Sequence, residues 1–300
     1  MLRPCLPALL LAAPLAADPL DPTPRLAVMS AFEPEWTLLL DMVESPTDHT
    51  VNGNRFVTGQ IEGQPVVLFL SGISMVNAAM TTQLALNHFE IEGIVFSGIA
   101  GGVDPALDIG DVVVAENWGQ YLETVMARDT GDGYAIPPWM SSDFPNYGMM
   151  FTRSVGVVSE AAPEGEQKFW FASDPGYLDI AATVAEEIDL AECNPDNACL
   201  SSPPEIVVGG NGVSGSSFVD NADYRAYVFD TFDAAVLDME SAAVAHVAHA
   251  NGTPFIAFRS LSDLAGGGDE ENELPVFFSL AAANSAEVVR AFLAALPDRL

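Results

Sequence analysis

Short runs of apolar residues alternate along the chain with longer stretches whose apolar positions keep helical spacing, and polar or glycine-rich breaks separate them. Leu26–Ser30 predicts a strand, Ala31-Phe32-Glu33-Pro34-Glu35 a loop, and Trp36–Val43 a helix. Arg55–Ile61 and Val66–Leu70 flank Glu62-Gly63-Gln64 as the arms of a hairpin. Gly72 opens a helix over Met75–Phe89, whose Val76, Ala79, Met80 and Leu84 share one face. Gly93–Phe96 reads as a buried strand that leads into a glycine loop, Ser97–Gly102, and Val112–Ala115 as another strand. From Glu116 to Trp170 periodicity fades and Pro137, Pro138 and Pro145 interrupt the chain, which predicts an irregular insertion near 117–170 over one end of the sheet. Order resumes with a helix at Tyr177–Ile188, strands at Glu205–Val208 and Val213–Val219, and a helix near Ala222–Phe232. Strand Ala235–Asp238, helix Glu240–Ala250, strand Phe255–Ser260, loop Leu261–Leu274 and helix Val276–Leu296 complete the pattern.

Strands that alternate with helices imply an α/β fold, with a mixed, mostly parallel sheet covered by helices on both faces. Neither an internal repeat nor a linker divides the chain, so residues 18–300 read as one domain. Ligands of such sheets bind beyond the carboxyl ends of the strands. Four segments that leave strands carry unusual polar content: 31–35, 97–102, 239–240 and 259–263.

The first 17 residues, MLRPCLPALLLAAPLAA, have the shape of a secretory signal: one basic residue, an apolar stretch, then small residues before Asp18. The apolar stretch falls short of the about 20 residues that span a bilayer, and Pro7 and Pro14 interrupt it. A periplasmic or secreted protein is expected, the alternative being a disordered cytosolic leader. Cys193 and Cys199 flank the turn-rich Asn-Pro-Asp-Asn, and an oxidising compartment favours a disulfide between them over two free thiols. Zinc would need ligands that are not nearby.

Composition narrows the function. The 300 residues are 49% hydrophobic with a mean hydropathy of +0.25, enough for a sizeable core. Ten Lys and Arg against 42 Asp and Glu give a formal charge of −32, which repels phosphate backbones and anionic headgroups. Nucleic acid and membrane surfaces are therefore excluded as partners.

Candidate chemistry sits at element junctions. Glu33 and Glu35 stand at a helix start, where they suit the helix dipole whether or not they do more. Glu240 joins a buried strand to an apolar helix, a place where an unpaired carboxylate is costly. In Arg259-Ser260-Leu261-Ser262-Asp263 an apolar strand delivers an Arg and an Asp into a loop, either as a structural ion pair or as site residues. Ser97–Gly102 could cradle phosphate but follows neither GxGxxG nor the P-loop pattern. His246 and His249 lack a third ligand at metal spacing, and 269–273 lacks the EF-hand order, so neither reads as a metal site.

Five stretches, TGQIEGQPVVLFLSGISMVNAA, GIAGGVDPALDIGDVVVAE, GVSGSSFVDNADYR, LDMESAAVAHVA and PFIAFRSLSDLAGGG, resemble the nucleoside phosphorylase/5′-methylthioadenosine–S-adenosylhomocysteine nucleosidase family. They are especially similar to its secreted branch, which includes plant bark and vegetative storage-type proteins. The resemblance implies the phosphorylase/hydrolase-like fold, a purine nucleoside as the small-molecule partner, no cofactor, no metal and a homodimer or higher homo-oligomer. It places Asp263 as the acid that protonates purine N7 and Glu240 as the carboxylate that grips the ribose hydroxyls, with Met239 beside the sugar. Glu35 matches the general base that positions water, and Arg259 lies near that water. Phe218 matches the aromatic that stacks on the base and Val219 its main-chain contact. Ser262 belongs to the Arg-x-x-Ser-Asp motif, and Phe32 and Gly101 to the matching loops. The family usually carries Ser or Thr where Ile99 stands, and segment 117–170 departs from its compact nucleosidases.

Cleavage of an N-glycosidic bond builds positive charge on the sugar and negative charge on the departing base, so carboxylates at both places act where charge develops. Asp263 must hold a proton near neutral pH, whereas Glu35 must stay ionised. A phosphorylase needs cations around a dianion, and this chain has ten, few in the candidate loops, although Arg55 of a neighbouring subunit could supply one. Hydrolysis of adenine nucleosides is the expected reaction. Phosphorolysis, or storage and binding without turnover, are the alternatives, and storage alone does not require Glu35, Glu240 and Asp263 together.

Overall fold

The computed structural model describes residues 19–268 and 271–297, so the predicted leader, residues 1–17, and two of the acids in 269–273 lie outside the described residues. Twelve strands form one mixed sheet. In chain order they are β1 (Asp21–Ser30), β2 (Glu44–Val51), β3 (Asn54–Ile61), β4 (Gln64–Leu70), β5 (Phe89–Gly102), β6 (Val112–Val114) and β7 (Asn117–Gly119), followed by β8 (Trp170–Ala172), β9 (Ile206–Val208), β10 (Asn211–Ser214), β11 (Ala234–Asp238) and β12 (Phe255–Asp263). The main path runs β8-β7-β10-β11-β5-β1-β4-β3-β2, while β12 pairs with β5 and β6, and β6 with β9. The pairs β1/β4, β1/β5, β5/β12, β10/β11, β7/β10 and β6/β9 are parallel.

Alternation along β1 shows why the sheet is covered twice. Leu26 and Val28 face one apolar cluster and Ala27 and Met29 the other, all fully buried or nearly so. Helices α2 (Met75–His88) and α5 (Ser241–Asn251) close the side of Ala27 and Met29. Helices α1 (Glu33–Asp41), α3 (Pro175–Ala185) and α6 (Leu274–Ala295) close the side of Leu26 and Val28. Helix α4 (Ala222–Phe232) packs with Tyr121 and Phe169 in a third cluster beneath the insertion.

Three stretches differ from the sequence expectation. The glycine segment 97–102 is the end of the 14-residue β5 and not a loop, because β12 and β11 supply its ladder partners. Leu261–Asp263 likewise continues β12 through pairing with Ala100 and Gly101. Within 117–170, β7 joins the main sheet and three two-stranded ribbons fold outside it. Cys193 and Cys199 are joined by a disulfide, with Cα atoms 3.9 Å apart.

Candidate active site

The carboxyl ends of β1, β5, β11 and β12 bring the four polar segments around one cleft of roughly 180 Å³. Glu35, Glu240 and Asp263 all line it, as do Phe32, Gly101, Phe218, Val219, Met239, Arg259 and Ser262. Each sequence-predicted site residue is therefore in the same place. Ala31, Ile73, Ile99, Leu237 and Leu274 supply apolar wall, and Phe32, Ile73 and Phe218 are exposed at its mouth.

Glu35 lies in the first turn of α1 and turns back on the chain that enters the helix. Its Oε2 accepts the N–H groups of Ala31 and Phe32, each at 3.2 Å, and its Oε1 accepts Ile99 N–H at 3.0 Å. Burial pushes its carboxyl above the ordinary range, opposed by Arg259 and those three donors. Glu35 is thus a stronger base than an exposed carboxylate.

Glu240 precedes α5. Its Oε1 accepts Ser74 N–H at 2.8 Å, and Oε2 lies 3.5 Å from Arg259 Nη2. Ser74 has φ 81°, a conformation a non-glycine residue seldom takes, and this aims its N–H across the cleft at Glu240. Burial raises Glu240 to about 7, with Arg259 opposing and the Asp238 charge adding to the rise.

Asp263 ends β12 and is buried, which raises its carboxyl. Oδ1 accepts Ala265 N–H at 2.8 Å and Asn272 Nδ2–H at 3.4 Å, and Ser262 Oγ lies 3.0 Å from Oδ2. Asn272 also donates to Asp220 at 3.1 Å, which ties the residues just before α6 to the Phe218 loop.

Arg259 is 1% exposed and does not pair with Asp263. Its Nε lies 2.8 Å from Asp238 Oδ2 and 2.9 Å from Ser241 Oγ, and Nη1 reaches the Ile99 carbonyl at 3.4 Å. The guanidinium stacks 4.0 Å from the centre of the Phe96 ring. Nη2 has no hydrogen-bond partner, although it is buried beside the cleft.

Asp238, Ser214 and Asn272 were not singled out from the sequence. Asp238 reads there as the polar end of a strand, and the only available signal was a carboxylate closing an apolar run immediately before Met239-Glu240. Away from the cleft, His246 Nδ1 lies 2.9 Å from Gln120 Nε2 with its ring stacked on Phe171, and His249 Nε2 lies 2.8 Å from Glu166. Among the described residues no cluster of three metal-ligating side chains occurs.

The model of the phosphorylase superfamily matches residues 25–294. A 5′-methylthioadenosine/S-adenosylhomocysteine nucleosidase of Bacillus thuringiensis is 32% identical over 244 residues, 81% of this chain and 87% of the relative. Among solved structures, the nucleosidase of Neisseria meningitidis in complex with methylthio-immucillin-A has a TM-score of 0.66 at 26% identity, covering 91% of this chain and 99% of that one. The S-adenosylhomocysteine nucleosidase of Streptococcus pyogenes with 5-methylthiotubericidin gives 0.67 at 26% identity, covering 91% and 98%.

Proposed function

This chain belongs to the phosphorylase superfamily, and from that premise we propose that it hydrolyses the N-glycosidic bond of adenine nucleosides of the 5′-methylthioadenosine, S-adenosylhomocysteine and adenosine class. One observation carries the reading: three buried carboxyl groups from distant parts of the chain share a cleft with an arginine N–H that makes no hydrogen bond within the protein. Purine stacks against Phe218, with Val219 and Gly101 beside it. Protonated Asp263 gives its proton to N7 as the bond from C1′ to N9 breaks, so the base leaves neutral. Glu240 accepts from the ribose hydroxyls and offsets the positive charge growing on the sugar, with Met239 packed alongside. Glu35 takes a proton from a water that Arg259 Nη2 also orients, and the water oxygen bonds to C1′. Products are adenine and the free sugar.

Water is favoured over phosphate as acceptor because Arg259, the cation of this cleft, already faces Asp238 and Glu240. The closed Cys193–Cys199 bond and the leader-like first 17 residues support an extracytoplasmic location. Exposed Ile73, Val76 and Met80 on and before α2 support association into a homo-oligomer.

Chromatography of the purified protein with several purine nucleosides tests the reaction. Adenine is expected in phosphate-free buffer, with turnover strongly reduced in Asp263→Asn and Glu240→Gln. Strict dependence on phosphate would overturn hydrolysis, and unchanged turnover in both variants would overturn the site.

A further inference from the structure

Asp238 sits where three site-bearing segments meet. It ends β11 in parallel register with Ser214 of β10, so the two side chains stand side by side, and Ser214 Oγ donates to Asp238 Oδ1. The same Oδ1 accepts the N–H groups of Glu240 and Ser241, each at 3.1 Å, which caps α5 from outside the helix. Ser214 Oγ completes the cap by accepting Ala242 N–H at 2.8 Å. Oδ2 faces Arg259 Nε at 2.8 Å. One buried carboxylate therefore holds the residue before α5, the first turn of that helix and the guanidinium of β12 at once.

The consequence lies in what Arg259 has left. With Nε fixed by Asp238 and Ser241, Nη1 on the Ile99 carbonyl and the plane stacked on Phe96, Nη2 has a single direction, toward Glu240 and the open cleft. Gly98 leaves room for this: a Cβ there would lie 2.1 Å from Nη1. We propose that Asp238 is a positioning residue for the hydrolysis: it orients Arg259 so that the Nη2 N–H, which makes no hydrogen bond within the protein, is aimed at the attacking water. The proposal rests on the reaction assigned above. Asp238 lines the cleft, yet its oxygens are taken by protein donors, so it acts through Arg259 and not on substrate.

A double-mutant cycle tests it. Asp238→Asn keeps the shape and removes the charge, and Arg259→Gln removes the cation. Each is expected to lower kcat by about 10²-fold or more, the effect of losing one oriented donor. If Asp238 works through Arg259, the double variant is no slower than Arg259→Gln alone. The pH profile gives a readout that a merely structural role would not move. Arg259, Asp238 and Glu35 are the charged groups that face Glu240. Loss of the Asp238 charge moves the acid limb of kcat/KM to lower pH.

Should Asp238→Asn fail to fold, Ser214→Ala loosens the same carboxylate without touching Arg259. It is expected to slow the unaltered enzyme several-fold and to leave Arg259→Gln unchanged. Losses that multiply in the double variant, or a kcat in Asp238→Asn equal to that of the unaltered enzyme, would overturn the proposal alone. Absence of nucleoside hydrolysis by the unaltered protein would overturn the assigned reaction and this proposal with it.

Discussion

At the scale of single residues, the cleft depends on carboxyl groups that burial holds above their ordinary range. Asp263 is useful only while protonated, so rising pH removes activity through its ionisation, and Asp263→Asn abolishes that alkaline limb. The substitution is expected to lower kcat by about 10²–10⁴-fold, the usual contribution of a general acid, and to change KM little because the amide still offers a donor near N7. Initial rates of adenine release across pH test both statements; a persisting alkaline limb in the variant would assign it to another group. Glu240 makes a prediction about stability. Its folded value of about 7 lies above the ordinary 4.5, so between those two values the folded chain binds more protons than the unfolded one. Stability from this group is full below pH 4.5 and is lost as pH rises through 7. In Glu240→Gln that loss is absent, and the difference in unfolding free energy between variant and unaltered protein shifts by roughly 3 kcal/mol in favour of the variant from low to high pH. Urea unfolding at pH 4.5 and at pH 8 measures it, and a difference independent of pH would show that Glu240 does not titrate in that window.

At the scale of elements, strand ends decide the geometry. The carboxyl end of β5 runs past Arg259, and Gly98 is the position where the two touch. A methyl group at Gly98 would lie 2.1 Å from Nη1, and the guanidinium is held by Asp238, Ser241 and Phe96, so it yields only by leaving its place. Gly98→Ala is expected to destabilise the fold by about 1–3 kcal/mol, as overpacking does, and to lower kcat as Arg259→Gln does. Thermal unfolding together with kinetics checks it; a variant with undiminished kcat would mean that the arginine can shift without consequence. The same segment explains what the sequence conceals. Its glycines read as a loop, although they are strand residues trimmed to let neighbouring side chains approach. Strand β2, ESPTDHTV, escaped notice because it lies at the sheet edge with no apolar face to alternate. Interior strands and helices were legible because both their faces, or one stripe, are buried in a regular period. Of the site, Glu35, Glu240 and Asp263 stood out as acids at element junctions. Asp238 did not, since a polar strand end is commonplace, and the donors Ile99 N–H and Ser74 N–H leave no mark in the letters.

At the scale of the whole molecule, charge and site are separable. A formal −32 on 300 residues leaves most acids without a cation, and the ion pairs of Arg55, Arg153 and Arg290 are at least partly exposed. Exposed pairs of this kind contribute about 0–1 kcal/mol each, too little to offset the repulsion among the remaining carboxylates. Added salt screens that repulsion over a length of about 10 Å at 0.1 M, so the unfolding temperature is expected to climb as sodium chloride is raised from a low value. The cleft responds differently. Its charges are buried and paired at short range, where salt screens little, and adenosine or methylthioadenosine carries no net charge for the field to repel. For these substrates kcat/KM is expected to stay flat over the same salt range in which the unfolding temperature rises. A kcat/KM that rises or falls steeply with salt would mean that a charged species enters the rate-determining encounter. An anionic acceptor such as phosphate would then have to be placed in this cleft, against the field of Glu35, Glu240 and Asp238.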